Sequence, residues 1–506
     1  IGYYRKGFDS PSLEAGRGVS ITFDGIAGLS DIWLNGFWIG QQSTGYSPIA
    51  LDITEFLRSD SEGPNVILVR ADSTEPEGWW YEGGGIYRHV WLEQCDPVHI
   101  ALDGVYVRTP VVSKERALFA FSFVIINLGS EHLFISGGVL IQDPDSGQQV
   151  VNKDIEQAAT ISSCGSRTIS AEAQLPFPKL WEVGKGNLYK LTVNIVDEQR
   201  VVRDSVSTTF GVRTIELVED GILVNDKHTK IYGGNIRQDW AVYGVALPDR
   251  VVEQKLELCA EMGMNAVRIA HHPPTPELVD HADRMGLLVL PENRLLSTSE
   301  TSIGHLRSLI RRFRGRPSVF MWSIENEEMD YQGAPVGYKM FSRFVTEIKA
   351  LDSTRPTIFG GVVAFENAAY YRIADVVGMH YRAFFGILDE AVEYVPDRPH
   401  ILDEEGLYPS TRGVYQYNKQ RAYAGSLSTL RDVMMDAERP AANAALMPVN
   451  HKITGNVADY LTKAYTHPKL SGTFFWTALD YIGEPTPQRW PATTSCYGAR
   501  DLLGLP

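Results

Sequence analysis

The sequence predicts two β-sandwiches in series followed by a (β/α)8 barrel, and three observations lead to that fold class. Up to about residue 212 the chain reads as short strands of alternating apolar and polar residues, punctuated by turn residues. After Phe210-Gly-Val-Arg213 the period changes, and apolar runs alternate with helical patterns. Eight such runs follow, the strand count of a closed barrel. A length of 506 residues suits about three domains at roughly 150 each. With 44% hydrophobic and 22% charged residues, the chain has the composition of a globular protein with ample core.

Residues 1–96 form the first predicted unit, a jelly-roll sandwich. Its strands are read at Ser20–Phe23, Asp31–Leu34, Trp38–Gln41, Val66–Arg70 and Arg88–Glu93. Asn35-Gly36 between two of them predicts a tight hairpin, because a type I′ turn needs positive φ at both central residues. The stretch Gly78-Trp-Trp-Tyr-Glu-Gly-Gly-Gly-Ile-Tyr-Arg88 sets two Trp beside three Gly. It reads either as a rigid aromatic surface for stacking on a sugar, with Trp80 the candidate, or as a plug at a domain interface; the two readings are compatible. Residues 97–212 read as an immunoglobulin-like sandwich, with strands near Val105–Val107, Phe119–Ile126, Gly138–Gln142, Thr168–Ala173 and Leu188–Val196 plus weaker ones between. Nothing in it looks chemical, and it is expected to act as a spacer.

Residues 213–506 carry the barrel. The strands are expected at Lys230–Gly233, Ala266–Ala270, Leu287–Pro291, Val319–Ile324, Thr357–Gly361, Val376–Tyr381, His400–Glu404 and Gly472–Leu479. Helical patterns lie between them at Arg250–Met262, Pro276–Met285, Gly304–Arg314, Tyr338–Leu351 and Val457–Tyr465, with Asp249 and Thr275 as N-caps. Leu407–Met447 is too long for an ordinary loop and is expected to fold as a helical excursion over the barrel mouth.

Several function classes are excluded by composition. A net charge of −15 without clustered Lys or Arg argues against nucleic acid. No apolar run approaches the ~20 residues of a membrane span. Cys95, Cys164, Cys259 and Cys496 are widely spaced, which fits reduced structural thiols. The chain opens on Ile1, so localisation is left open.

The chemistry is expected where barrel enzymes keep it, at the C-terminal ends of the strands. Collected there are Asn235, Arg237 and Asp239 after strand one and Arg268, His271 and His272 at strand two. Strand four brings Glu325, Asn326, Glu327 and Glu328, and strand six His380 and Tyr381. Strand seven brings Asp403, Glu404 and Glu405, and strand eight Trp476 and Asp480. Carboxylates on strands four and seven face each other across the mouth, and such a pair flanking a scissile bond is the equipment of glycoside hydrolysis. The histidines raise a metal alternative, but no HExxH or other spaced ligand set appears, and neighbouring His271 and His272 cannot easily share one ion. No metal and no cofactor are expected.

The ordered set of motifs resembles glycoside hydrolase family 2, which holds β-galactosidases, β-glucuronidases and β-mannosidases. The motifs are Gly45-Tyr46 before Asp52-Ile-Thr54, Trp80-Tyr-Glu-Gly-Gly-Gly-Ile-Tyr-Arg88 continuing to Leu92, and Asn265-Ala-Val-Arg-Ile-Ala-His-His-Pro-Pro274. Trp322-Ser-Ile-Glu-Asn-Glu327 and the run from Phe475-Trp-Thr-Ala-Leu-Asp480 to Pro487 complete it. The resemblance runs from Tyr3 to the last residues and implies that the chain begins partway into the family's first domain and stops just after the barrel.

The resemblance also implies roles. Glu327, closing an Asn-Glu dipeptide, would be the general acid/base, and Asn326 would bond the sugar 2-hydroxyl. Glu404, within Ile401-Leu-Asp-Glu-Glu-Gly406, would be the nucleophile of a retaining mechanism. Arg268 would hold that nucleophile ionised, with Tyr381 beside it, and His271, Asn235 and Trp476 would line the sugar site. The chain departs from the family pattern in Arg237, which stands where an imidazole is usual, and in His380, which stands where Asn commonly precedes the tyrosine. Asp403 and Glu405 flank Glu404 in place of a small and an aromatic residue. Glu325, in place of a common Gly, is expected to raise the pKa of Glu327 by like-charge repulsion.

The leading expectation is an exo-acting retaining β-glycosidase of the β-galactosidase branch, acting on a small glycoside or oligosaccharide, with homo-oligomer formation left open. Two competitors stand beside it. One is a β-glucuronidase or galacturonidase using Arg237 for the carboxylate; the other is a non-catalytic carbohydrate-binding protein on the same fold.

Overall fold

The computed structural model describes residues 1–11, 17–78, 80–143, 145–362, 368–384, 386–406, 457–485 and 492–506. The excursion expected over 407–447 lies outside them, as does Trp79.

Two sheets form the first sandwich. One runs Gly2–Phe8, Asn65–Asp72, Leu29–Leu34, Phe37–Gln42 in spatial order; the other runs Ile49–Asp52, Gly18–Phe23, Val90–Cys95. Val19, Ile21, Ile32, Leu34, Ile67 and Val69 fill the space between, each set alternating along its strand. The hairpin at Asn35-Gly36 has φ of 53° and 91°, the two positive angles its turn type needs. Gly2–Phe8 was not read from sequence, because its five central residues are all exposed and leave no apolar alternation.

The second sandwich has three strands, Val98–Val112, Arg116–Asn127 and Gly165–Pro176, packed on four. Those four are Gln149–Ile161, Leu133–Gln142, Tyr189–Val196 and Val202–Phe210. Seven strands of this kind make an immunoglobulin-like sandwich. It is bolted to the barrel wall. Tyr106 Oη donates to Asp352 at 3.1 Å, and Arg316 Nη1 of the barrel donates to Thr209 Oγ1 at 3.1 Å.

All eight barrel strands are present, numbered here within the barrel: β1 (Ile231–Ile236), β2 (Ala266–Ile269), β3 (Leu288–Leu290), β4 (Trp322–Asn326), β5 (Thr357–Gly360), β6 (Val377–His380), β7 (His400–Glu405) and β8 (Leu470–Phe475). Strands β3-β2-β1-β8-β7-β6 form one parallel run, and β4 pairs with β5. Parallel bridges Val289–Val319 and Glu292–Ser323 join β3 to β4, and His380 N to the Gly361 carbonyl at 3.1 Å joins β5 to β6. The ring therefore closes. Its lower end is stoppered by Trp181, Ile222 and Val224 against Ile231, Leu288, Phe320 and Phe474, which leaves the C-terminal end as the face open to a ligand.

The helices follow the expected positions: α1 (Asp249–Glu261), α2 (Pro276–Met285), α3 (Glu300–Phe313), α4 (Pro335–Leu351), short α5 (Ala368–Tyr371) and α6 (Leu388–Tyr394), and α7 (Val457–Thr466). Thr275 caps α2 by accepting from Leu278 N at 3.3 Å. Asp249 does not cap α1. It lies in the first turn, Pro248 takes the cap position, and the Asp249 carboxylate instead meets His89 of the first sandwich at 2.9 Å. Helix α3 begins one turn before the predicted Gly304 because Ser299 caps it, accepting from Ser302 N at 3.3 Å. Among the described residues no helix is long and apolar enough to cross a membrane, and the four cysteines are free thiols.

Candidate active site

Arg268, fully buried near the end of β2, is the hub of the mouth. Nη1 reaches Asn235 Oδ1 and Glu404 Oε2, each at 3.0 Å, and Nη2 reaches Glu292 Oε2 and Asn326 Oδ1, each at 2.6 Å. A planar fork with five donors can serve four acceptors at once, which a lysine cannot do. On the other side of Glu404, the Tyr381 hydroxyl donates to Oε1. Burial, joined by the Glu327 carboxylate, pushes Glu404 up to about 7, against the pull of His380, Arg268 and Tyr381.

Glu327 stands opposite, just past β4. Its carboxylate, that of Glu404 and a ring nitrogen of His380 lie with one atom of each inside 4.8 Å of the others. His380 Nδ1 is 2.6 Å from Glu327 Oε1. Glu327 and Tyr381 both sit in the left-handed backbone region, with φ of 49° and 57°. That conformation costs of order 1–3 kcal/mol for each residue, and neighbouring strands hold it: Glu327 N donates to the Gly360 carbonyl at 3.1 Å and Tyr381 N to the Glu404 carbonyl at 2.8 Å. Asn326 Oδ1 is taken by Arg268, so its amide Nδ2 is what it can offer a sugar hydroxyl.

His271 stacks on Trp476 at 5.4 Å and 12° between planes, and its Nδ1 lies 2.9 Å from Glu292 Oε1. Burial, helped by the nearby Arg268 and Arg237 cations, holds His271 well below the ordinary histidine range, so it is neutral. Arg237 is enclosed by aromatic rings, its guanidinium carbon 4.9 Å from Trp80, 5.0 Å from Trp476 and 4.3 Å from Tyr481 ring centres, with Glu484 at 3.2 Å.

The first sandwich supplies one wall. Trp80 is 8% exposed and lies 5.6 Å from His271, with its indole N–H given to the Tyr46 hydroxyl at 3.1 Å. Tyr46 stacks on His272 at 4.4 Å. Arg88 crosses the interface, donating to Gln238 Oε1 at 2.7 Å and the Pro273 carbonyl at 2.9 Å. Trp80 thus sits at the interface, as one of the two readings of the Trp-rich stretch has it, and lies beside His271.

Some expected residues sit a layer lower. Asn235 is wholly buried and ties Arg268 to the Asp403 carbonyl at 3.2 Å. Asp239 accepts from Ile482 N at 2.6 Å, joining the loops after β1 and β8. Asp480 accepts from Gly498 N at 2.7 Å. Glu405 is turned out of the mouth, accepting from Ala383 N and Phe384 N at 3.1 and 2.9 Å.

Sequence reasoning missed Glu292, which serves Arg268, His271 and the Ser323 hydroxyl together. The signal was there, an acid directly after Pro291 at the end of strand three, but no rim residue was collected from that strand. Glu484, Tyr481 and Arg294 were also missed, because they lie beyond strand ends in loops. Arg294 sits 4.8 Å from the Trp80 ring centre.

Glu325 is held by two donors: its oxygens accept from Gln332 Nε2 at 2.9 Å and Glu328 N at 3.1 Å, and the charges of Glu328 and Glu292 bear on it. The β4–β5 ladder shifts register between Ser323 and Asn326, the stretch that carries it. Burial pushes Glu325 from 4.5 up to about 8. The folded state thus keeps a proton that the unfolded chain releases, so this contribution to stability is whole below pH 4.5 and is lost as pH rises through about 8. Glu325→Gln should therefore show a smaller fall in melting temperature between pH 5 and 8 than the parent; parallel curves would refute this.

The model of the glycosyl hydrolases family 2 TIM barrel domain matches residues 215–477, and a second glycosyl hydrolases family 2 model matches 98–213. A β-galactosidase of Bacteroides ovatus is 29% identical over all of this chain and 64% of its own length. A β-glucuronidase of Bacteroides fragilis is 26% identical over 95% of this chain and 70% of its own. The crystal structure of a glycosyl hydrolase family 2 member from Bacteroides cellulosilyticus superposes with a TM-score of 0.80 at 27% identity, covering 99% of this chain and 61% of that one. The chain thus spans under two thirds of the Bacteroides ovatus relative. With family models matched across 98–213 and 215–477, the chain belongs to glycosyl hydrolase family 2.

Proposed function

We propose that the chain carries a retaining, exo-acting β-glycosidase that removes terminal β-linked sugars, with β-galactosides the first choice. The observation that carries this is the spacing at the mouth: carboxylate oxygens of Glu327 and Glu404 within 4.8 Å. Retaining enzymes hold their two carboxyl groups about 5–5.5 Å apart, whereas inverting ones need about 6.5–9.5 Å to admit a water.

In this reading Glu404 attacks the anomeric carbon while Glu327 gives its proton to the leaving oxygen, producing a glycosyl ester. Glu327 then takes a proton from water, whose oxygen displaces Glu404. Arg268 and Tyr381 aim the two Glu404 oxygens, Asn326 meets the 2-hydroxyl, and Trp476 with His271 forms the floor. Exo-action fits a mouth walled by Trp80. The β-galactoside preference rests on the strand-eight motif and on the 29% identity to a β-galactosidase.

A uronide is the second reading, favoured by one observation. Arg237 is buried with Nε and Nη1 lacking hydrogen-bond partners among the described residues, donors that a sugar carboxylate would use. Glu484 opposes it, being already paired with that guanidinium. A panel of aryl β-glycosides decides. Hydrolysis of the galactoside with retention of configuration is expected; faster uronide hydrolysis, lost selectively in Arg237→Ala, would move the assignment. Sugar binding without any hydrolysis would favour a non-catalytic protein.

A further inference from the structure

Two of the departures from the family pattern, His380 and Asp403, meet under the mouth. His380 is 1% exposed and Asp403 0%. The ring has one nitrogen for each side: Nδ1 is 2.6 Å from Glu327 Oε1 and 3.7 Å from Glu404 Oε2, while Nε2 is 3.5 Å from Asp403 Oδ2. Arg268 Nε lies 3.9 Å from the same Asp403 oxygen. Neither Asp403 oxygen has a hydrogen-bond partner among the described residues, so its compensation is Coulombic, from one imidazole and one guanidinium.

The surrounding strands make room for this pair. A Cβ on Gly360, at the end of β5, would stand 2.5 Å from His380 Nε2, and one on Gly378, in β6, would stand 3.0 Å from Asp403 Oδ1 and 2.2 Å from the Phe359 carbonyl oxygen. Only glycine lets a ring and a carboxylate occupy those places.

We propose that His380, backed by Asp403, is a shared positive charge, bonded to Glu327 and facing Glu404, that offsets the negative charge as it passes between Glu404 and Glu327 in each half of the cycle. This rests on the retaining reading above. When Glu404 bonds to the anomeric carbon, its charge is spent in the ester; the glycosidic bond breaks, the leaving oxygen takes the Glu327 proton, and Glu327 is left as the carboxylate. One negative charge has moved across the mouth. In the second half, water gives a proton to Glu327, its oxygen bonds to the anomeric carbon, and the ester electron pair returns to Glu404. His380 Nδ1 faces both charge positions and keeps its own proton throughout. It touches neither the sugar nor the leaving group, so it is a positioning residue, and Asp403 acts through it.

The groups facing His380 are Asn326 of β4 and Glu327 after it, Gly360 of β5, Tyr381 beside it, Asp403 and Glu404 of β7, and Arg268 of β2 with His271 after it. Burial disfavours its protonation, but the Glu404, Asp403 and Glu327 carboxylates outweigh burial and hold His380 well above the ordinary histidine range. An imidazolium there lowers Glu404, whose ionised form is the reactive one. Removing it should raise the pH below which kcat/KM is lost.

The test uses the whole chain and an aryl β-glycoside that it hydrolyses. His380→Gln and Asp403→Asn are each expected to lower kcat at least tenfold with KM changed less than threefold, and to move the acid limb of kcat/KM upward by at least half a pH unit. The double variant should be no worse than His380→Gln alone, since Asp403 acts through the ring. Acid limbs that stay in place, or losses that multiply, overturn the proposal. A parent chain inactive on every glycoside overturns the retaining reading itself, and the proposal with it. Should the variants not fold, ring-nitrogen NMR of the parent decides: both His380 nitrogens protonated at pH 7 is expected, and a neutral ring there refutes it.

Discussion

Glu404→Ala is expected to lower kcat on an aryl β-galactoside by at least about 10⁴-fold, because in the proposed mechanism it removes the atom that forms the covalent intermediate. Glu327→Ala should behave differently. Its loss should be about 10²–10⁴-fold for a leaving group that needs a proton, and much smaller in the first step for an activated phenol that leaves unaided. Azide separates the two roles. In Glu327→Ala it should attack the glycosyl ester and give a β-glycosyl azide; in Glu404→Ala it should enter from the face that Glu404 vacates and give the α product. Near-wild-type turnover in either variant, or azide products of the same configuration, would sink the assignment.

The second large effect is expected at Arg268, and it falls on stability as well as rate. Arg268→Met removes the charge that faces Glu292, Asp403 and Glu404 and leaves the Asn235 and Asn326 oxygens without their donor. Breaking a buried ion pair by removing one partner costs about 3–5 kcal/mol. The barrel should therefore unfold at distinctly lower denaturant, and the residual activity should have its acid limb moved upward, since Arg268 helps keep Glu404 ionised. Arg268→Lys keeps a charge but not the fork, and should recover part of the stability and little of the rate. A Met variant with unchanged unfolding and an unchanged pH profile would show that the hub is not electrostatic.

The barrel was legible because its strands are short, mainly apolar runs alternating with helical patterns, six of them leading into polar residues. Val319-Phe-Met-Trp-Ser-Ile324 followed by three acids is such a run, and the structure sets its end at the mouth. The hairpin at Asn35-Gly36 was legible for a local reason, its φ requirement. What could not be read is direction. The Asn-Glu dipeptide marks out Glu327, but where its neighbours turn is not written there: β4 shifts register between Ser323 and Asn326, Glu325 accepts from Gln332, and Glu327 meets His380. The resemblance alone set Glu404 above Glu405; the physical difference is that backbone amides of the loop after β6 bind Glu405. Support residues are harder still: Glu292 binds groups 24, 21 and 31 positions away, and no local pattern announces that.

The wall built by Trp80, Tyr46 and Arg88 divides the inheritance of this site. The two carboxylates and their hub travel with the barrel, whereas part of the entrance travels with a sandwich that has a hydrophobic core of its own. Mutation in that sandwich can reshape the entrance while leaving the two carboxylates untouched. A barrel excised from it would hold the carboxylate pair with one side open, and a sandwich grafted from a relative would bring a different doorway to the same pair.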